Sequence, residues 1–177
     1  MKILKIGLTF CLGFLVILTA FLTGCELRGA TENTGSMALE AIVEKIYEKV
    51  DVPPYDTVRL DQDNFEFFSF IPYSDDLSAV AADALVNITP HSVVVIRSES
   101  GNGAEIAESV VLRADPNKWL CVGAETVEVA YTDHYVVLVM SDKTTADAIV
   151  GNFGELAPDL DDMEMKLLTA GNSRYDQ

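Results

Sequence analysis

Hydrophobic positions beyond the first few dozen residues fall into short periodic runs whose spacing predicts alternating helices and strands. Leu39, Ile42, Val43, Ile46 and Val50 follow the i, i+3, i+4, i+7 rule, and Glu40, Glu44, Lys45, Glu48 and Lys49 take the other face. This pattern predicts an amphipathic helix with Ser36 as N-cap, ended by Pro53 and Pro54. From Asn64 to Ile71, Phe65 and Phe67 alternate with Glu66, Phe68 and Phe70, the composition of a mostly buried strand. Ser74, Asp75 and Asp76 offer side-chain oxygens and negative charge to a first helical turn, and Leu77, Val80, Ala81, Ala84 and Leu85 form the stripe of a second helix.

Val93 to Ile96 is a continuous apolar run between Ser92 and Arg97, suited to a central strand covered on both faces. After the turn Ser100 to Gly103, a third helix shows Ile106, Ala107, Val110 and Val111 on one side and stops near Asp115 and Pro116. Val127, Val129 and Tyr131 alternate with Glu128 and Ala130; beyond Thr132, Asp133 and His134 the run Tyr135 to Met140 completes a hairpin. Thr144 and Asp147 resemble a capping box for a last helix that buries Ala146, Ile149, Val150 and Phe153, and Pro158 is expected to end the ordered part. The order α, β, α, β, α, β, β, α predicts an α+β two-layer sandwich, with helices on one face of a three- to four-stranded mixed sheet. It includes a strand, helix, strand unit from Val93 to Tyr131 with a right-handed crossover. The folded domain is expected over residues 37–157, with residues 158–177 an acidic, frayed tail.

The 177 residues suit one domain plus an appendage. Twelve Lys and Arg against 28 Asp and Glu give a net charge of −16, which excludes a protein that works by gripping the phosphates of nucleic acid.

The appendage carries the most specific signal. Lys2 and Lys5 precede an uncharged apolar run from Ile6 to Leu22, the layout of a secretory signal. At about 1.5 Å per residue that run reaches about 26 Å, short of a bilayer's hydrocarbon core. It closes on Leu22, Thr23, Gly24 and Cys25, and polar residues follow at once. This tetrad resembles the lipobox of bacterial lipoproteins. The resemblance implies that the Cys25 thiol receives a diacylglyceryl group and that a signal peptidase cuts between Gly24 and Cys25. Residues 1–24 would then be a signal peptide and residues 25–36 a lipidated, flexible tether. Two acyl chains make a durable anchor, whereas one holds only marginally. Losing residues 1–24 removes two lysines and no acid, leaving ten basic against 28 acidic residues, a net charge of −18. Such a body is repelled by an anionic leaflet and should stand off the membrane on its tether.

Candidate chemistry in the body is sparse. Phosphate-loop, nucleophile-elbow and paired-histidine zinc motifs are absent from the sequence. Ser100, Gly101, Asn102 and Gly103 could present amides to an anion, yet a tight strand-to-helix turn needs the same residues. Cys121 with His91 or His134 as base would make an envelope thiol enzyme or hydrolase; its apolar context instead predicts a packed, inert thiol, and Trp119 beside it a core anchor. Asp61, Asp63, Asn64 and Glu66, and Asp159, Asp161, Asp162 and Glu164, could hold a cation but lack the spacing of a calcium loop, so they read as solvated faces. No catalytic residue, metal or cofactor is therefore assigned, and a non-catalytic surface module is the favoured expectation.

The lipobox at Cys25, the opening helix, the His91 to Arg97 strand with its helix, the Trp119 and Cys121 segment, the Tyr135 to Met140 strand and the Ala146 to Phe153 helix together resemble small lipoproteins of clostridia and related Gram-positive bacteria. Those proteins are catalogued as a domain of unknown function. An anchored module without assembled chemistry is expected to be partnered by the membrane through Cys25 and by another envelope protein or a wall component. The resemblance covers about residues 37–156 and implies only location and architecture, a lipid-anchored protein on the outer side of the cell membrane. It carries no catalytic residues.

Overall fold

In the computed structural model, which describes residues 37–86 and 88–170, ten elements follow one another along the chain. They are α1 (Leu39–Ile46), β1 (Tyr55–Arg59), α2 (Phe65–Ser69), β2 (Leu77–Ala84), β3 (Ser92–Ser98), α3 (Gly103–Arg113), β4 (Thr126–Tyr131), β5 (Tyr135–Ser141), α4 (Lys143–Asp161) and β6 (Lys166–Thr169). The signal segment, Cys25, the tether and Ser36 lie outside the described residues, and Ala38 is the N-cap of α1.

The strands form one six-stranded sheet in the order β1-β2-β3-β5-β4-β6, and every neighbouring pair is antiparallel. This corrects the expected three- to four-stranded mixed sheet. The strand, helix, strand unit β3-α3-β4 exists, but β5 folds back from β4 and inserts between β4 and β3, so the two strands of that unit never touch. Val94 pairs with Leu138 and Val95 with Val137 at the centre.

Helices cover both faces, which corrects the two-layer expectation to three layers. Val80, Ala82, Val93, Val95, Val137 and Val139 pack with α1 and α4. Ala79, Ala81, Val94, Ile96, Val136 and Leu138 pack with Phe65 of α2 and with Ile106, Ala107 and Val110 of α3. Every residue of β5 is buried, as a strand with a layer on each side requires.

Two local expectations exchange character. Leu77–Ala84, expected as a helix, is β2: alternate residues enter opposite layers, and hydrogen bonding to β1 and β3 on its two sides overrides the helical preference of four alanines. Asn64–Ile71, expected as a strand, holds the short helix α2. Asp61 Oδ1 accepts from the amides of Asp63 and Asn64, Asn64 Oδ1 accepts from the Asp61 amide, and Phe70 closes the turn in the left-handed region. Positions i and i+2 face nearly opposite ways on a helix, so Phe65 is buried and Phe67 is exposed.

The last helix begins at N-cap Asp142, whose Oδ1 accepts from the Thr145 amide at 2.9 Å, two residues before the expected Thr144 cap. Asp147, the other half of the expected box, pairs with Lys143. The helix runs through Pro158 to Asp161, and β6 then adds to β4, so ordered structure extends past the expected end at residue 157.

Candidate functional site

The extended chain entering β3 sends His91, just before the strand, and Ser92, its first residue, to opposite faces at one end of the sheet, and each anchors a polar cluster there. On the α1 and α4 side, His91 is fully buried. Its Nε2 lies 2.8 Å from the Tyr47 hydroxyl and its Nδ1 lies 3.0 Å from Ser141 Oγ. Ser141 Oγ donates to Asp142 Oδ2 at 3.4 Å. Having one proton, Ser141 must accept from His91 Nδ1–H, and Nε2 then accepts from the Tyr47 hydroxyl. The neutral ring is thus fully engaged. Burial pushes the pKa of His91 down to about 4, against the opposing pull of Asp83 and Asp142. Burial likewise raises that of the Tyr47 phenol.

On the α2 and α3 side, Lys118 Nζ donates to Ser92 Oγ at 2.8 Å and to Asp83 Oδ2 at 3.2 Å. The ammonium also lies 5.0 Å from the Trp119 ring centroid and 5.5 Å from that of Phe68. Only 9% of the Lys118 side chain is exposed, and desolvation holds its pKa below the usual lysine value against the pull of Asp83. This single side chain joins α2, the loop between α3 and β4, and the ends of β2 and β3. Sequence patterns give no hint of the pairing, because Asp83 and Lys118 are 35 residues apart.

Around this knot, apolar side chains stand in solvent. Leu120 is 84% exposed, Phe67 68%, Leu85 65% and Ile88 77%. They belong to α2 and to the loops that follow β2 and α3, the elements that Lys118 draws together. Chain entry lies toward the other end of the sheet, where Glu40 in the first turn of α1 pairs with Arg59 at the end of β1.

The residues proposed for chemistry are distributed differently. Cys121 is exposed, with φ +77°, which corrects the expectation of a packed thiol. Trp119 is half-buried beside Lys118. His91 is committed to Tyr47 and Ser141. His134 sits in the β4–β5 hairpin at the opposite end of the sheet, with Nδ1 2.9 Å from the Ser98 carbonyl oxygen and its ring against Gly101. The fold therefore does not assemble Cys121 with either histidine. Ser98 and Ser100 donate to Asp76 Oδ2 at 3.0 and 2.7 Å. A carboxylate, held ionised chiefly by the Ser100 hydrogen bond, thus occupies the turn where an anion would have bound. Asp61 and Asn64 serve their own turn, and Asp161 Oδ2 accepts from the His134 amide. Among the described residues no cluster of three or more His, Cys, Asp or Glu is placed to hold a metal, and no helix is long and apolar enough to cross a membrane.

Comparison with protein-family models, with curated proteins and with solved structures finds no match to this chain.

Proposed function

We propose that this protein is an acyl-anchored binding module that works outside the cytoplasm, held to the membrane by diacylglyceryl-Cys25 after cleavage between Gly24 and Cys25, and that it acts by association and not by catalysis. Support for the anchor is the order of charges, apolar run and small residues before Cys25. Support for binding is one observation above others: Phe67, Leu85 and Leu120, large apolar side chains on the elements that meet at Lys118, are mostly exposed, and a contiguous patch of such side chains would mark an interaction site. Envelope proteins and wall components are the partner classes within reach of a tethered domain.

Anchoring is tested by Cys25→Ser. Wild type should incorporate labelled fatty acid and float with vesicles, and the variant should lose both; a variant that still floats and is still processed overturns the anchor. Binding is tested by crosslinking on whole cells, where a discrete adduct is expected and recovery of monomer alone across several crosslinker chemistries rejects it.

A further inference from the structure

Only one protonation state of His91 satisfies its surroundings. In the neutral ring Nδ1–H donates to Ser141 Oγ, and Nε2 accepts from the Tyr47 hydroxyl at 2.8 Å. A second proton must therefore settle on Nε2, where it meets the Tyr47 O–H donor against donor. Among the described residues Nε2 is the hydrogen-bond partner of that hydroxyl, and the phenol is buried, so turning its proton away leaves it without an acceptor. The Ser141 side is unaffected, because Ser141 accepts from Nδ1–H in either state and keeps its own proton on Asp142. The conflict thus falls on Tyr47, the C-cap of α1.

The elements around the ring differ in their freedom to yield. β3 and β5 are each paired on both sides within the sheet, whereas α1 is an eight-residue helix in an outer layer. Its end is also held by Asn152 Nδ2, which donates to the Ile46 and Glu48 carbonyls at 2.9 Å. Burial is the largest influence opposing charge on the ring; Asp83 of β2 and Asp142 at the start of α4 attract an imidazolium, and Lys118 of the α3–β4 loop repels it. From α1 and β1 come the uncharged phenols of Tyr47 and, against it, Tyr55. The charged residues nearest in α1 and the turn after it, Glu44, Lys45, Glu48, Lys49 and Asp51, are exposed.

We propose that His91 is an acid-operated latch: a second proton on its ring sets Nε2–H against the Tyr47 O–H and releases the C-terminal end of α1 from the sheet, while β3 and β5 stay in place. The latch depends on neither the anchor nor the binding reading.

The experiment is hydrogen exchange on the full chain in phosphatidylcholine nanodiscs, read by mass spectrometry and corrected for the intrinsic pH dependence of exchange. Measurements at about pH 7.5 and about pH 5 stay above the ordinary carboxylate range. The peptide carrying the Tyr47, Glu48 and Val50 amides, which bond to the Val43, Lys45 and Tyr47 carbonyls, reports the end of α1, and a β5 peptide reports the sheet. Freeing a ring held at about 4 to titrate at its ordinary 6.5 multiplies the opening constant about thirtyfold between the two conditions. The end of α1 should therefore be less protected than β5 at both pH values, and its protection should fall about thirtyfold in acid. In His91→Gln the amide can still donate to Ser141 and accept from Tyr47 but takes up no proton, so the fall should be less than about threefold. Unchanged protection at the end of α1 in the wild type overturns the proposal. A fall that leaves α1 and β5 equally protected is unfolding of the whole domain and overturns it as well. Equal falls in wild type and His91→Gln assign the effect to another group, with the same consequence. The two wild-type peptides decide the matter even where His91→Gln fails to fold.

Discussion

His91 and Ser92 are adjacent in the chain, yet the extended backbone at the start of β3 places them in different layers. His91 lies between Tyr47 and Ser141 under α1 and α4, while Ser92 accepts from Lys118 on the other side. One peptide unit thereby ties both helical layers to the same end of the sheet. Neither cluster is solvated well enough to tolerate losing a partner.

Acid should weaken the fold through His91. An unfolded histidine takes up its proton near pH 6.5, while the buried ring resists until about 4. Between these values the unfolded chain binds more protons, so stability falls as pH drops from 6.5 to 4, by up to about 3 kcal/mol. Thermal melts across this range should show the decline, and His91→Gln should flatten it. The carboxylates of Asp142 and Asp76, whose pKa values are lowered by hydrogen bonds, add their loss only below the ordinary Asp value of 3.8.

Removing the Tyr47 hydroxyl should damage His91 without disturbing the ring packing. Tyr47→Phe keeps the edge-to-face contact with Tyr55, whose centroid is 4.8 Å away, but leaves Nε2 buried without a donor. The expected loss is about 1–3 kcal/mol in denaturant melts. His91 should also titrate at higher pH by NMR, because the bond lost is one that favoured the neutral ring.

Lys118 and Asp83 should respond asymmetrically. Asp83→Ala strands a desolvated ammonium and should cost about 2–3 kcal/mol. Lys118→Met keeps an apolar chain against Phe68 and Trp119 and should cost less, although it removes a charge pair. Equilibrium unfolding of both variants decides the order.

Backbone geometry makes two further positions distinguishable. Cys121 adopts φ +77°, where an L side chain is strained, so Cys121→Gly should be neutral or stabilising by up to about 1 kcal/mol. The native thiol should react with maleimide in the folded protein at a rate that denaturant raises little, because it is exposed. Gly103 behaves oppositely: a Cβ there would lie 2.1 Å from the Thr132 carbonyl oxygen and 2.7 Å from that of Asp133. Backbone must move to admit it, so Gly103→Ala should lower the melting temperature by an amount matching about 1–3 kcal/mol of overpacking.

Residue patterns alone determined those elements that bury a regular face: α1, α3 and α4 from 3.6-residue spacing, β3 and β5 from unbroken valine-rich runs, and the hairpin at Thr132–His134 from a polar break between two such runs. The proposed anchor at Cys25 rests on the linear sequence alone. Tertiary structure decided the rest. β1 and β6 are mostly exposed edge strands, so Tyr55–Arg59 and Lys166–Thr169 carry little apolar alternation to read. Leu77–Ala84 satisfies helical spacing and strand alternation equally, because Leu, Val and Ala occupy positions that fit both, and only the strands beside it settled the matter. The second helical layer was implicit in the doubly covered run Val93–Ile96, but which helix covers which side depends on where the chain crosses the sheet. Asp83 with Lys118, and Tyr47 with His91 and Ser141, meet across 35 to 50 residues. Local spacing cannot encode such meetings; the register of β2, β3 and β5 creates them.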